Sequence, residues 1–415
     1  MNLKTLAAWQ DYIASIHSFS IELGLARVGE VARRLNLLTP KCPVITVAGT
    51  NGKGSTVAGL EAVYMAAGYK VGAFTSPYLF RLNEEVRIQG VEIDDAGLCA
   101  AFAKVEAARG ETTLTTFEFN TLAALEIFYA ANLDVILLEV GLGGRLDAVN
   151  IIDPDVAVVT SIAIDHADRL GNTRELIGRE KAGIFRAQIP VVCGDFSPPD
   201  SLLKFADTLN APLFQQGKNF KFTSGAANWH WQSEKNNFEN LPIPSLALQN
   251  MSTVLMTIEI LQEKLPVERN AIDYAFTEVK LPARIQIFPG CVTRIFDVSH
   301  NPAAAEFLVE KLKTLPCEGK TRAVFSMLAD KDIVGTIDIM KKIIDGWYVA
   351  ELPVERGISM EILLEKFRKA KVKEVQSHHD IVQAYQAATD DSTAGDRVIV
   401  FGSFYVVSGV IQQLL

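Results

Sequence analysis

From residue 43 onward, short apolar, β-branched runs alternate with longer stretches in which apolar residues return at the helical interval. The spacing predicts strands over 43–48, 70–75, 134–140 and 155–161, and helices over 53–67, 94–108, 117–131 and 173–187. The alternation argues for an α/β fold with a mostly parallel sheet. Over 211–245 the pattern changes: Trp229, Trp231, several Phe and many Asn predict antiparallel strands, before 247–280 returns to helix. Leu281-Pro282-Ala283-Arg284, with Pro289-Gly290 close behind, reads as a boundary. A second βα series follows, with strands near 292–297, 321–326, 346–349 and 396–401. At 415 residues the chain exceeds what one core usually serves, so two domains are expected, 1–283 and 284–415.

Composition narrows the partners. A hydrophobic share of 49% with 21% charged residues is that of an ordinary globular protein. The net charge of −9 argues against nucleic acid or an anionic membrane surface as partner, though a local basic patch suffices for small anions. Cys42, Cys99, Cys193, Cys291 and Cys317 are scattered and never at metal-ligand spacing. With no signal-peptide pattern and no apolar run long enough to span a bilayer, a reducing cytoplasm is the expected location.

The chemistry starts where the first strand ends. Val44–Ala48 runs into Gly49-Thr50-Asn51-Gly52-Lys53-Gly54-Ser55-Thr56 and then into an alanine-rich helical pattern. Free backbone N–H groups and the helix dipole make such a turn an anion site; Lys53 adds a point charge, and Ser55 or Thr56 a hydroxyl for magnesium. The spacing departs from the common P-loop, since Ala48 stands where its first glycine belongs and Gly54 separates Lys53 from Ser55. Ligands of open parallel sheets bind beyond the carboxyl ends of the strands. There the second strand delivers Thr75-Ser76-Pro77, the third Glu139 before Gly141-Leu142-Gly143-Gly144-Arg145, and the fourth Asp165-His166. Ser76, Glu139 and His166 together offer a divalent cation a hydroxyl, a carboxylate and an imidazole, the last favouring manganese over magnesium. Taken singly they read more plainly: Ser76 as a turn residue, Glu139 as a partner of Arg145, His166 as a loop residue. In the second half, Asp297-Val298-Ser299-His300-Asn301-Pro302 and Gly402-Ser403-Phe404 are strand-to-helix turns of the same kind, with Asn301 a helix cap. Gly319-Lys320-Thr321 precedes a strand and reads as a plain turn.

Together these motifs resemble the Mur ligase superfamily, and within it the dihydrofolate synthase/folylpolyglutamate synthase family. Besides the glycine loop and Thr75-Ser76-Pro77, the likeness rests on Phe117-Glu118, Leu138 to Ala148, Gly178-Arg179-Glu180-Lys181-Ala182-Gly183-Ile184, Leu281 to Arg284, Asp297 to Pro302, Met327 to Asp332 and Gly402-Ser403-Phe404. It covers nearly the whole chain. The resemblance implies a P-loop-like three-layer N-terminal domain with a mostly parallel sheet, and a smaller Rossmann-like α/β C-terminal domain that closes over ATP and binds glutamate. It implies that Thr50, Asn51, Gly52, Lys53, Gly54 and Ser55 hold the triphosphate, while Asn250, Arg284, Asp297 and His300 meet ATP from the far side. Ser76, Glu139 and His166 would bind Mg2+, with a second ion possible and Mn2+ a substitute. The pterin would lie against Glu22, Leu23, Gly24, Leu25, Thr115, Thr116, Phe117, Glu118, Leu146, Asp147 and Ala148. Lys53, Lys181 and His166 would be catalytic. On spacing alone Lys181 is a solvated helix-surface residue; the resemblance makes it a carbamylated lysine. Three departures stand out: Tyr78 for the histidine usual after Ser-Pro, Ala283 for the glycine usual before the arginine, and Val298-Ser299 for a pair ending in alanine.

The implied reaction joins L-glutamate to dihydropteroate, and to tetrahydrofolate and its polyglutamates, through an acyl phosphate made with ATP. The resemblance also tilts the oligomeric state toward a monomer. Other readings are a folylpolyglutamate synthase without the first activity, a cell-wall Mur ligase and a GTP-dependent switch. Against the second, the chain opens without a uridine-binding domain; against the third, it has no Asn/Thr-Lys-x-Asp sequence.

Overall fold

In the computed structural model, which describes residues 4–19, 21–412 and 414, the apolar runs do become buried strands. They are β1 (Val44–Ala48), β2 (Val71–Phe74), β3 (Val86–Ile88), β4 (Val91–Glu92), β5 (Val135–Glu139), β6 (Val156–Val159), β7 (Val191–Cys193) and β8 (Leu213–Gln215), in the order β4-β3-β2-β5-β1-β6-β7-β8. From β2 to β8 every pairing is parallel, whereas β3 and β4 add on antiparallel. Every residue of β1, β2, β5, β6 and β7 is buried, in keeping with their mostly apolar sequences. Two groups of helices make the outer layers. Lys53–Ala66 packs with Leu248–Leu261 and Arg269–Glu278; Thr116–Ala130 packs with Asp95–Arg109 and with Leu6–Ile16 and Ala26–Arg34.

Residues 211–245 divide between two sheets. Leu213–Gln215 extends the main sheet in parallel, and only β9 (Phe220–Ser224), β10 (Asn228–Ser233) and β11 (Asn237–Pro242) form the antiparallel excursion. Its inward face is aromatic, with Trp229 and Trp231 fully buried. The stretch 247–280 is two helices, broken at 262–268 around Pro266. The helix over 174–182 stops five residues before the predicted end, at Gly183. A Cβ at Gly183 would fall 2.3 Å from that of Arg145, so close passage of the 144–145 segment sets that limit.

The second sheet is β12 (Gln286–Phe288), β13 (Thr293–Asp297), β14 (Thr321–Phe325), β15 (Gly346–Ala350), β16 (Val375–His378) and β17 (Arg397–Phe401), ordered β12-β13-β17-β14-β15-β16. All its pairings are parallel except that of β12. Phe325, Phe401, Trp347 and Phe367 pack edge to face or tilted at its centre.

By internal packing the chain divides into two compact units, Met1–Ala163 with Asn172–Lys280, and Ile164–Gly171 with Leu281–Leu415. The short segment around His166 thus belongs with the second sheet, although it follows β6 of the first. Among the described residues no helix is long and apolar enough to cross a membrane.

Candidate functional site

The glycine loop is held from beneath by the chain that follows β6. Thr50 N–H donates to Ser161 O (2.7 Å), its hydroxyl donates to Ala163 O (3.0 Å) and accepts from Ala163 N–H (3.1 Å), and Thr160 Oγ1 donates to Asn51 O (2.7 Å). Thr50 is therefore an anchor of the loop. Two glycines are required by geometry. At Gly49 (φ +149) a Cβ would sit 1.8 Å from Thr160 Oγ1, and Gly52 is left-handed (φ +89) with a Cβ position 2.5 Å from Asn250 Oδ1. The helix Lys53–Ala66 starts at Gly52 with no side-chain cap, so its first N–H groups are offered to an anion. Lys53 Nζ reaches Thr50 O (3.4 Å) and lies 4.0 Å from Glu139 Oε1. Asn250, expected on the far side of the nucleotide, instead belongs to the same unit as the loop. Its helix, Leu248–Leu261, packs on the loop helix and lays the amide over Gly52.

Glu139, at the end of β5, is buried. Arg145 pairs with Glu180 instead (2.9 Å), because Arg145 N–H donates to Glu180 O and draws the 143–145 turn onto the helix end. A Cβ at Gly144 would fall 2.8 Å from that same carbonyl. The same packing explains Lys181, which is buried and not the solvated residue its spacing suggested: Nζ donates to Gly49 O at 2.9 Å, at the start of the glycine loop. Ser76 follows β2 by two residues and is joined to Pro77 by a cis peptide bond.

Three segments assigned to the pterin converge. Gly24 N–H donates to Leu146 O (3.2 Å), and Arg27 bridges Glu22 and Glu118 (3.1 Å to Glu118). Thr115 and Glu118 form a reciprocal capping box at the start of the helix Thr116–Ala130. Phe117 lies where a Cβ on Gly141 would be 2.6 Å from its ring. Burial pushes the Asp147 carboxyl up to about 7, against hydrogen bonds from Leu142 and Val149 N–H groups (2.8 and 3.1 Å).

The second unit gathers the remaining residues. Lys331, buried, donates to Asp165 (2.6 Å) and to His166 Nε2 (3.0 Å). Burial, then the neighbouring ammonium, lowers His166 to about 4. Burial alone would raise Asp165, but its hydrogen bond with His300 and the Lys331 charge hold it well below the carboxylate range. Asn301 caps its helix through Ala304 N–H (2.9 Å) and also donates to Asp165 (3.2 Å). Asp297 accepts from Ile285 N–H (2.9 Å) and Ser299 N–H (2.8 Å), while Arg284 lies over the Phe404 ring at 5.2 Å. His166 is thus placed with Lys331, whereas Ser76 and Glu139 belong to the first unit. Among the described residues no group of three His, Cys, Asp or Glu stands ready for a metal.

Comparison with known proteins fits this geometry. Residues 47–192 match the Mur ligase middle domain, and 283–404 the Mur ligase, glutamate ligase domain. The Dihydrofolate synthase/folylpolyglutamate synthase of Escherichia coli (strain K12) is 46% identical over 409 residues, 99% of this chain and 95% of that one. The chain belongs to the dihydrofolate synthase/folylpolyglutamate synthase family. The solved structure of E. coli FolC in complex with DHPP and ADP superposes with a TM-score of 0.95 at 45% identity, covering 99% and 98% of the two chains. A bifunctional folylpolyglutamate synthase/dihydrofolate synthase with Mn, AMPPNP and L-glutamate bound gives 0.93 at 45%, with the same coverage.

For a member of this family the sequence left one acidic residue unread. Glu85 is buried, and its carboxylate accepts from Asn120 Nδ2 (3.2 Å). Burial, with the charge of Glu139 adding, pushes it up to about 8. Only its position at the end of a short turn, Leu82–Glu85, could have hinted at this. Between the ordinary carboxylate range and about pH 8 the folded chain keeps a proton that the unfolded chain has lost, so this group makes stability fall as pH rises. In metal-free protein, the melting temperature of Glu85→Gln relative to wild type should therefore climb steadily from pH 5 to pH 8. A difference that stays flat across that range would remove the assignment.

Proposed function

We propose that this chain is an ATP-dependent amide-forming ligase that adds L-glutamate to dihydropteroate, forming dihydrofolate, and to folates, forming folylpolyglutamates. The observation that carries the reading is the uncapped helix start at Gly52 with Lys53 beside the strand-end carboxylate of Glu139, in a chain nearly half identical along its length to a curated enzyme of this name. The substrate carboxylate takes the γ-phosphoryl group of ATP, giving an acyl phosphate and ADP; the glutamate amine then attacks the acyl carbon and phosphate leaves.

In this reading the N–H groups from Gly52 to Ser55 cradle the phosphates, and Lys53 neutralises charge on the transferring group. A divalent cation, Mg2+ or Mn2+, supplies further neutralisation when bound. The hard oxygens of Ser76 and Glu139 suit it, whereas His166 Nε2 is engaged by Lys331 and can contribute only once released. Glu22–Leu25, Thr115–Glu118 and Leu146–Ala148 hold the pterin end. Asn250, Arg284, Asp297 and His300 serve the nucleotide. Residues 1–283 then carry ATP and pterin binding, and 284–415 contribute to the nucleotide site and bind glutamate. Lys181 is assigned a carbamate. The cytoplasm is the assigned location, supported by five free, scattered cysteines.

Phosphate release measured with ATP and glutamate tests the reading. Release is expected with dihydropteroate and with tetrahydrofolate, and none with a UDP-muramoyl precursor. Stimulation by the muramoyl compound alone would overturn the reading; stimulation by tetrahydrofolate alone would reduce it to a folylpolyglutamate synthase.

A further inference from the structure

Ser76 lies on a loop between β2 and β3, and one side chain grips both ends of that loop. Arg87, on β3, donates through Nη1 to Thr75 Oγ1 (2.9 Å) at the start of the loop and to Glu84 O (2.8 Å) near its end. The Glu84 carboxylate in turn gathers the intervening backbone, accepting from the N–H groups of Leu79, Phe80 and Arg81 (2.7, 2.7 and 2.8 Å). The far edge of the Arg87 guanidinium meets Glu61, Nη2 at 2.9 Å and Nε at 3.2 Å from Oε2. Glu61 is buried on the helix Lys53–Ala66, whose first turn carries Lys53. A planar five-donor fork can satisfy a carboxylate on one edge and two oxygens on the other; a lysine ammonium cannot span them.

We propose that Arg87 is a positioning residue that ties the Ser76 loop, at both ends, to the helix of the phosphate loop. It thereby sets the cation-binding hydroxyl of Ser76 in register with Lys53. The proposal rests on the reading of Ser76 and Glu139 as cation ligands. A simple structural bolt would leave cation binding alone; a positioning residue acts on it, as outer contacts of metal ligands do.

Deleting the side chain outright would strand the Glu61 carboxylate in the interior, so the test uses milder changes. Mn2+ binding to the full chain with a non-hydrolysable ATP analogue is measured by electron paramagnetic resonance, beside the melting temperature, for Thr75→Val, Arg87→Lys, Ser76→Ala and Glu139→Gln. Thr75→Val and Arg87→Lys are expected to weaken Mn2+ binding by about tenfold or more, with metal-free nucleotide affinity unchanged. Loss in Arg87→Lys alone would still support the grip, through Glu84. Should Arg87→Lys fail to fold, Thr75→Val decides alone. If Ser76→Ala and Glu139→Gln lose Mn2+ while the other two bind normally, the positioning role is overturned and the cation site stands. If Ser76→Ala and Glu139→Gln bind Mn2+ normally, the cation reading fails and the proposal with it.

Discussion

Lys53→Ala is expected to lower the rate of glutamate ligation by about a thousandfold or more, with the chain still folding cooperatively. The size follows from where the charge sits. Lys53 opens a helix whose start has no side-chain cap, and its ammonium lies 4.0 Å from Glu139 at the neighbouring strand end. A cation there would stabilise phosphoryl oxygens as charge develops on them, with an effect exceeding that of the same contact in bulk solvent. Little of the scaffold depends on it, since its ammonium makes one long hydrogen bond, to Thr50 O, and approaches Glu139. Arg at this position keeps the charge but spreads it over a bulkier fork, so Lys53→Arg should recover little. Steady-state ligation and thermal melting, measured together, check the pair of expectations. Near-normal turnover in Lys53→Ala would move the phosphate site elsewhere.

Lys181→Ala should be nearly as damaging, with a loss of about a hundredfold or more, and its rescue tells which charge the residue carries. Lys181 is buried against the glycine loop, and its Nζ donates to Gly49 O. As an ammonium it would add a second cation beside Lys53; as a carbamate it would present a carboxylate that a divalent cation can use. In Lys181→Ala, formate or acetate should restore part of the ligation activity, and methylammonium none. The reverse pattern would show that the free amine is the working form. Isotope-labelled carbon dioxide offers an independent check, since a carbamate gives a carbonyl resonance that vanishes in the variant.

What could be read along the chain was local. β1, the glycine turn and the helix after it are encoded by adjacent residues, and their expected limits lie within a residue of those observed. β12 and β16 escaped notice because they are short edge strands; Val375-Gln376-Ser377-His378 has only one apolar residue. Lys181 looked solvated because its neighbours Arg179 and Glu180 are polar, and only the approach of the 143–145 turn buries it. Asn250 and the Lys331–His166 contact depend on helix packing and on chain segments far apart in sequence, which periodicity cannot reveal. Glu85 is a similar case: a charged residue beside another in sequence, yet enclosed. The family resemblance reached several of these positions by motif, but it carried no information on what each side chain touches.

The segment Ile164–Gly171 leaves the first unit, packs with the second, and returns. The chain therefore passes between its two halves at three places, and no single cut separates them cleanly. A fragment beginning at residue 281 would lack Asp165, the carboxylate that the Lys331 ammonium meets at 2.6 Å. A fragment ending at residue 280 would retain the segment but nothing to dock it on. The covalent path itself makes the halves mutually dependent, so a tandem or shuffled arrangement of this protein must carry the eight-residue excursion with the half it packs against.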